Sequence, residues 1–308
     1  TDPCYYGQIV AQTFPTIGNY GIIEEDFIGK PALNGYVVRE WCEKPSNFRC
    51  EYNIDKFLKD NGIPGIYGVD TRELTNIIRD GGSQNAIICD EIPSDMSAVE
   101  NYKIVDAVKN TASKEKSEHI AGLEVKKHLA IVNFGSTKKL EAELAGEGYK
   151  VTVLPYDTKA EDILSLGAEA VVLSEGAGNP EEMKEASAEI GKLMGKIPVF
   201  GIGLGHQLMA MAKGAEIIKL PYGHHGGNQP SKVVGTARTL ITSQNHSYAV
   251  KEDSIKEGTV SHMNGNDKTV EGIEYKDSFA LSVQFEVNAD YVAEKIEKLM
   301  EEFNNAAE

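Results

Sequence analysis

Four short apolar segments recur between residues 128 and 201, and a stretch of helical character separates each from the next. They read H-L-A-I-V-N-F from His128, K-V-T-V-L-P from Lys150, A-V-V-L-S from Ala170 and I-P-V-F-G from Ile197. Apolar, β-branched runs that alternate with helices are typical of βαβ units, whose strands are parallel and buried on both faces. The pattern predicts an α/β fold with an open, mostly parallel, doubly wound sheet flanked by helices.

The chain is long enough for two domains. It has 308 residues with 41% apolar content, and a domain usually takes roughly 100–200 residues. Residues 1–110 mix short apolar runs with turn signals and include one helix-like stretch from Asp70 to Arg79, which indicates a small α/β domain. Residues 111–127 are rich in Lys, Glu, Ser and Thr, and we interpret them as a linker. Residues 128–308 then form the larger domain, which ends in a helix predicted over Asp290–Phe303 with Asp290 as its N-cap.

Charge and cysteine content narrow the class of protein. The chain has 47 acidic and 31 basic side chains and a net charge of −16, which repels phosphate backbones and anionic membranes, so neither nucleic acid nor a membrane is an expected partner. The most apolar stretch, Ile197–Ala212, contains His206 and Gln207 and is too polar to span a bilayer. A reducing cytoplasm fits best, because the four cysteines are unevenly spaced and lack C-x-x-C pairs. They are Cys4, Cys42, Cys50 and Cys89.

The segment Phe200–Ala210, F-G-I-G-L-G-H-Q-L-M-A, predicts a strand end, a tight turn and a helix start. Such a strand-to-helix elbow holds one residue in a strained backbone conformation, and small neighbours such as Gly201 and Gly205 let the chain pass. A cysteine at the tip would lie at a helix N-terminus, where the helix dipole lowers a thiol pKa. The tip residue here is Gly203, so the segment has the pattern of a nucleophile elbow without a nucleophile.

Two other interpretations of these segments are weaker. A dinucleotide-binding G-x-G-x-x-G motif would require glycine at position 206, where the chain has His206. His224 and His225 are candidate metal ligands together with His206 or His246, but adjacent histidines point apart and no third ligand has the usual spacing. A structural, hydrogen-bonded role for these histidines is favoured, and neither a cofactor nor a metal is predicted.

Several segments carry a family resemblance. G-I-G-L-G-H-Q-L at 201–208 resembles the G-I-C-L-G-H-Q element of class I glutamine amidotransferases, and L-S-E-G-A-G-N-P at 173–180 resembles their L-S-N-G-P-G-D-P loop. G-H-H-G-G-N-Q-P at 223–230 and S-Q-N-H-S-Y-A-V at 243–250 are similar to segments of one branch, the small chain of carbamoyl-phosphate synthase. The first domain also resembles that small chain, at T-D-P-C-Y-Y-G-Q-I-V (1–10), P-T-I-G-N-Y-G (15–21), S-N-F-R (46–49) and G-V-D-T-R-E-L-T (68–75).

The resemblance implies an activity and also its loss. Small chains of this family hydrolyse glutamine and pass ammonia to a large chain, which makes carbamoyl phosphate from bicarbonate and ATP. Gly203 stands where the family has its cysteine, and the segment S-V-Q-F-E-V-N-A at 282–289 aligns with S-V-Q-F-H-P-E-A. This alignment puts Glu286 at the histidine position and Asn288 at the glutamate position. A Cys-His-Glu triad needs a thiolate, a proton-carrying imidazole and an orienting carboxylate, and these three residues cannot supply them.

The remaining site residues follow from the resemblance alone. The resemblance implies that backbone groups of the loop at Gly176 and Gly178 and of Leu204 form the glutamine and oxyanion sites. It also implies substrate contacts from side chains after the elbow and along a later strand. These are Gln207, Asn245, Ser247, which replaces a family glycine, and Tyr248, at an aromatic position. A further substrate-contacting serine would lie in an N-terminal segment that the resemblance indicates is missing.

The substituted triad leaves two possible functions from different classes, and one alternative in which the chain still hydrolyses glutamine by another route. In the first, the chain is a non-catalytic subunit that holds or regulates a large chain using free ammonia. In the second, it is an autonomous protein that binds glutamine or a related small molecule in the old pocket. The chemical alternative is direct attack by water on glutamine, with Glu286 as the general base. The chain has no P-loop, so synthesis from ATP would reside in a partner.

Overall fold

The computed structural model describes residues 1–122 and 125–307. The chain divides into two compact units, Thr1–Ala107 and Val108–Glu308.

The first unit is built on a parallel sheet of three strands in the order β1-β2-β3. Val37 and Val38 are buried in its central strand, and the ring of Phe57 packs edge-on against Phe27 with centroids 5.4 Å apart. The elements are β1 (Ile9–Ile17), β2 (Gly35–Trp41), α1 (Ile54–Asp60), β3 (Gly65–Ile66), α2 (Thr71–Gly81) and α3 (Ser97–Glu100).

The helix predicted at Asp70–Arg79 is present as α2. Asp70 is its N-cap, and its carboxylate accepts hydrogen bonds from the backbone N–H groups of Arg72 and Glu73, both at 3.1 Å. These bonds satisfy two of the donors that a helix start leaves open. The helix begins where the sequence indicates and continues two residues further, to Gly81.

The second unit contains a ten-stranded sheet in the order β10-β9-β11-β12-β13-β8-β7-β5-β6-β4. The short helix α4 (Ala107–Thr111) begins at the last residue of the first unit and continues into the second. The elements after it are β4 (Ser117–Ile120), β5 (His128–Ser136), α5 (Lys138–Gly146), β6 (Lys150–Pro155), α6 (Ala160–Ser165), β7 (Ala170–Gly176), α7 (Lys184–Leu193), β8 (Val199–Ile202), α8 (Leu204–Ala212), β9 (Ile217–Val233), β10 (Thr239–Val250), β11 (Thr259–Asn264), β12 (Val270–Tyr275), β13 (Ala280–Val283) and α9 (Ala289–Ala307).

The predicted parallel sheet is confirmed in the centre of this unit, where β6, β5, β7, β8 and β13 pair in parallel. Successive residues of β5 point to opposite faces, so Ala130 and Val132 belong to one apolar cluster and Leu129 and Ile131 to the other. Helices α7 and α8 cover the first face, and α5 and α9 cover the second. The unit is therefore a three-layer α/β/α fold.

The sheet also has an antiparallel extension that the sequence did not predict. Strands β9 to β12 pair antiparallel to one another, and β12 joins them to β13. The sequence of β9, I-I-K-L-P-Y-G-H-H-G-G-N-Q-P-S-K-V, is rich in glycine, proline and polar residues and lacks a regular apolar alternation. Its pairing with β10 is interrupted by two register shifts, which explains why no period of two is visible.

Part of the predicted linker, residues 111–127, is a strand of the sheet. Ser117–Ile120 forms β4, which pairs antiparallel with β6 at the edge of the sheet. Charged and polar residues are typical of an exposed edge strand, since they discourage pairing with other chains, and this composition gave the impression of a linker. Part of the linker prediction, residues 123–124, lies outside the described residues.

The final helix begins one residue before the predicted position. The side chain that caps α9 is Asn288 rather than Asp290, because Oδ1 of Asn288 accepts a hydrogen bond from the N–H of Tyr291 at 3.1 Å. Val292 and Ile296 are fully buried, as expected for the apolar stripe of this helix. Neither α9 nor any other helix in residues 1–122 and 125–307 is long and apolar enough to cross a membrane.

Candidate functional site

Three parallel strands end side by side at one edge of the sheet. Leu173 of β7 is opposite Gly201 of β8, and Ile202 of β8 is opposite Val283 of β13. The N–H of Gly203 donates to the carbonyl of Val283 at 2.9 Å, directly beyond the last strand pair. Open α/β sheets bind ligands at the carboxyl ends of their strands, so the loops that follow β7, β8 and β13 define a candidate site.

The elbow after β8 has the predicted backbone conformation. Gly203 has φ 55° and ψ −110° and is the N-cap of α8, a conformation that side-chain-bearing residues adopt only with strain. A Cβ added to Gly205 would lie 2.6 Å from the carbonyl oxygen of Leu173, and one added to Gly201 would collide with the sulfur of Met209. Glycines are therefore required on both sides of the tip.

Glu175 occupies the space in front of the elbow. A Cβ built on Gly203 would be 3.1 Å from Cγ of Glu175 and 3.5 Å from its Cβ. A nucleophile projecting from position 203 would therefore meet this acidic side chain. Sequence reasoning missed Glu175, although a signal was present, because the resembling L-S-N-G-P-G-D-P loop has asparagine at this position.

The residues predicted at the two other triad positions each take part in a hydrogen bond that involves the backbone. Glu286 is exposed, and its backbone N–H donates to the carbonyl of Ser243 at 3.0 Å. Asn288 is also exposed, and its amide oxygen caps α9. Both follow β13, two and four residues after the buried Gln284, so the chain places them on the same loop beside the elbow.

Backbone groups line the floor of the site. Leu204 is the first residue of α8, and the N–H groups of a helix start have no partner within the helix and attract anionic or carbonyl oxygens. The end of β7 packs against this helix start, since a Cβ on Gly176 would lie 2.9 Å from Cδ2 of Leu204 and would meet the carbonyl of Phe134. Gly178 has φ 97°, a conformation suited to glycine. These groups suit the binding of a carbonyl oxygen.

The side-chain amide of Gln207 links α8 to the chain at Tyr248 and Gln284. Its side-chain NH₂ donates to the carbonyl of Tyr248 and to Oε1 of Gln284, both at 2.8 Å, and the residue is only 3% exposed. Both amide hydrogens are used within the protein, which leaves Oε1 as the atom with which Gln207 would accept a bond from a ligand. The contacts fix α8 relative to β10.

Asn245 presents a buried donor. Its Oδ1 accepts a hydrogen bond from Nδ1 of His225 at 2.7 Å, while its Nδ2 is buried and has no partner among the described residues. Desolvation lowers the pKa of His225, and in the neutral ring the proton lies on Nδ1, because the amide oxygen that it faces can only accept. An unpaired buried amide is costly, and a bound ligand would satisfy it.

Tyr248, three residues after Asn245, has a phenol that stays protonated. Burial, and then the charge of Glu182, raise the pKa of Tyr248. Ser247 lies between these two residues and is half-buried. The segment from 245 to 248 thus supplies uncharged polar groups to the site.

Within the described residues of the second unit, His206 is the histidine that follows the elbow, and it offers no exposed imidazole to the site. His206 follows the elbow on α8, but it is fully buried, its Nδ1 is 2.8 Å from Oγ of Ser282, and burial lowers its pKa to about 3. All four cysteines precede residue 108 and so belong to the first unit. The site can bind polar groups with backbone and amide donors, and the second unit itself contains no cysteine.

The geometry agrees with comparisons to known proteins. Residues 130–287 match the family model described as glutamine amidotransferase class-I, and residues 1–88 match the model described as carbamoyl-phosphate synthase small chain, CPSase domain. A solved structure from Thermoplasma acidophilum, a candidate GMP synthase subunit, superimposes with a TM-score of 0.50 at 19% identity, over 61% of this chain and 98% of that one. The second unit therefore has the fold of class I glutamine amidotransferases.

Relatives that span almost the whole chain define the family more narrowly. The carbamoyl phosphate synthase small chain of Listeria monocytogenes is 42% identical over 98% of this chain and 85% of its own length. That of Clostridium perfringens is 43% identical over 98% of this chain and 87% of its own length. The chain belongs to the carbamoyl phosphate synthase small chain family.

Proposed function

We propose that this chain is a carbamoyl phosphate synthase small chain that has lost glutamine hydrolysis and serves as a structural or regulatory subunit of a large synthetase chain. The observation that carries the proposal is the tip of the elbow. There Gly203 offers no reactive atom, and Glu175 lies 3.1 Å from the position of a Cβ. A covalent route splits amide hydrolysis into two easier steps, and without a nucleophile that route is closed.

The other triad positions support the same proposal. Glu286 cannot carry a proton between a thiol and a leaving amine as an imidazole does, and Asn288 is engaged as the cap of α9. Attack by water with Glu286 as general base is the competing chemistry. It predicts a glutaminase activity that disappears when the carboxylate is removed.

Ammonia would then reach the large chain from solution rather than from this chain. The experiment combines the purified protein with the large chain from the same source and measures carbamoyl phosphate formed from bicarbonate, ATP and either ammonium or glutamine. We expect the two chains to co-purify, with synthesis driven by ammonium and no synthesis driven by glutamine above that of the large chain alone. Two chains that do not associate would refute the subunit role.

Glutamate release from glutamine by the purified small chain is the separate test of inactivity. We expect none above a blank. Release that is lost in Glu286→Ala but kept in Glu182→Ala would establish the water mechanism and overturn the claim of inactivity. Glu182 serves as the matched control, because its carboxylate acts on the nearby Tyr248 but does not occupy a triad position.

One observation favours a second candidate function, an autonomous small-molecule-binding protein. The buried Nδ2 of Asn245 lacks a partner among the described residues and is suited to an oxygen atom of a ligand. Titration calorimetry with glutamine tests this function. Binding to the isolated chain that is weakened in Asn245→Ala, without association with a large chain, would favour it over the subunit role.

A further inference from the structure

A cluster of acceptor atoms lies within the antiparallel extension of the sheet. His224 of β9 and His246 of β10 are directly opposite each other, and their rings are perpendicular, with centroids 4.8 Å apart. Glu271, from the neighbouring strand β12, is fully buried beside them. Nδ1 of His224, Nε2 of His246 and a carboxylate oxygen of Glu271 all lie within 4.8 Å of one another.

Hydrogen bonds on the outer side of each ring determine which nitrogen faces the cluster without a proton. Nε2 of His224 donates to Oδ2 of Asp267 at 2.9 Å. Nδ1 of His246 donates to the carbonyl of Tyr248 at 2.7 Å, because a carbonyl can only accept. In the neutral rings the two inner nitrogens therefore both carry lone pairs, and they face each other at 3.2 Å.

The carboxylate is oriented in the same way. Asn264 donates its Nδ2 to Oε1 of Glu271 at 3.0 Å, and Gln244 donates its Nε2 to Oε2 at 2.6 Å. This turns the amide oxygen of Gln244 toward His246, 2.9 Å from Nε2. Oε1 of Glu271 lies 3.4 Å from Nδ1 of His224. Two imidazole nitrogens, a carboxylate oxygen and an amide oxygen thus converge on one small space.

A shared cation would satisfy these acceptors. Asn264 is the amide donor nearest to Nδ1 of His224, and at 3.4 Å its contact with that nitrogen is weak. A tetrahedral zinc ion with bonds of about 2.1 Å holds its ligand atoms about 3.4 Å apart, close to the 3.2 Å and 3.4 Å that separate Nδ1 of His224 from the nitrogen of His246 and the oxygen of Glu271. Two imidazoles and a carboxylate are a ligand set that zinc favours, and outer hydrogen bonds to a carboxylate and to a backbone carbonyl are what zinc-binding histidines usually make.

We propose that His224, His246 and Glu271 form a binding site for Zn²⁺, with water in the fourth position and Asp267 orienting His224. The ion would hold β9, β10 and β12 together and so support the segment of β10 that carries Asn245 and Tyr248. The spacing of histidines along the sequence did not reveal this site, because the third ligand comes from another strand and His225 is not part of the set.

Zinc binding is measured on the full chain after removal of metal with EDTA and alkylation of its cysteines, by competition with a chromophoric chelator. We expect one Zn²⁺ per chain. His246→Gln and Glu271→Gln should weaken binding by at least about a hundredfold, whereas His225→Gln, which changes the adjacent histidine outside the set, should not. Asp267→Asn should weaken binding by about tenfold to a hundredfold, as is typical when the partner of a zinc-binding histidine is changed.

X-ray absorption of the zinc-loaded wild-type protein gives a second readout that does not depend on any variant folding. We expect two imidazoles and oxygen in the first shell, with no sulfur at about 2.3 Å. Absence of stoichiometric binding, a shell that contains sulfur or fewer than two imidazoles, or unchanged affinity in Asp267→Asn would each overturn the proposal. In that case the cluster would be a hydrogen-bonded network in which the two histidines share one proton.

Discussion

A Cβ placed on Gly203 would lie 3.1 Å from Cγ of Glu175, a contact tighter than most that real Cβ atoms make. Gly203, at the predicted nucleophile position, and Glu175, near the end of β7, are therefore neighbours in space, although they belong to different segments of the chain. Restoring a side chain at position 203 affects Glu175 as well, because one of the two must move.

The first prediction concerns the stability cost of a side chain at the elbow. Gly203→Ala should destabilise the second unit by about 1–3 kcal/mol, because the backbone there is strained for any residue with a Cβ. Gly167→Ala is the matched control. Gly167 has φ 68° with nothing within 4 Å of its added Cβ, so it reports the backbone cost alone, about 1 kcal/mol.

Urea unfolding followed by far-UV circular dichroism measures both variants. The excess cost of Gly203→Ala over Gly167→Ala should shrink when Glu175→Ala is added, since that change removes Cγ from the contact. An equal cost for the two glycine variants would show that Glu175 does not obstruct the elbow.

The second prediction concerns repair of the triad. Gly203→Cys alone should be inactive, because it has no imidazole and because the neighbouring carboxylate of Glu175 disfavours a thiolate. Adding Glu286→His and Asn288→Glu supplies all three residue types but leaves Glu175 in front of the thiol. We expect the further change Glu175→Asn to raise glutaminase activity at least about tenfold over the triple variant, because triad members act only as a complete and correctly placed unit.

Mass spectrometry of the glutamine-treated variants detects the acyl-enzyme directly. The expected order is none for the single variant, little for the triple variant and most for the quadruple variant. If the quadruple variant is folded, binds glutamine by calorimetry and still forms no acyl-enzyme, the placement of Glu286 and Asn288 at the triad positions is wrong. Ser247→Gly is a separate change that should improve substrate affinity more than turnover.

How far the sequence predicts this protein depends on whether a feature is local. The parallel strands β5, β6, β7 and β8 and the positive φ of Gly203 follow from local patterns, namely apolar β-branched runs and a glycine-rich turn after a strand. The antiparallel extension has no such pattern, because β9 pairs through glycines and histidines rather than through an apolar face.

The contacts that connect distant residues were also not predictable from spacing. Glu175 reaches the elbow from the preceding strand, and Glu271 reaches His224 and His246 from a strand 25 residues later. Both depend on sheet order, which a single sequence does not give. The cap of α9 was misplaced for a simpler reason, since Asn288 and Asp290 are both good capping residues and only the start of the helix distinguishes them.

The third prediction concerns that cap. Asn288→Ala should lower the free energy of unfolding by about 1 kcal/mol, because the N–H of Tyr291 loses its acceptor. Asn288→Asp should keep the cap and gain from the helix dipole. Asp290→Ala is the control and should cost less, because it does not remove the acceptor of Tyr291. A larger loss in Asp290→Ala than in Asn288→Ala would show that Asp290 is the cap after all.

The last prediction is the pH dependence of stability. Burial lowers the pKa of His206 to about 3, and burial together with the charges of Lys295 and Arg238 lowers that of His262 to about 4. Both rings are therefore neutral in the folded chain and take up a proton on unfolding below the ordinary value of 6.5. The unfolded state binds more protons in this range, so stability falls as the pH falls from about 6.5 toward 4.

Between pH 7.5 and 5.5 each histidine should contribute a loss of about 1 kcal/mol. We expect His206→Asn and His262→Asn each to reduce the pH-dependent loss by that amount, whatever their effect at pH 7.5. Ser282→Ala is the control, because it removes the hydroxyl that contacts His206 but keeps the buried ring, and it should lower stability at both pH values alike. Far-UV circular dichroism is the appropriate signal, since the single tryptophan, Trp41, lies in the first unit. A pH-dependent loss that is unchanged in both histidine variants would mean that these rings are protonated in the folded protein.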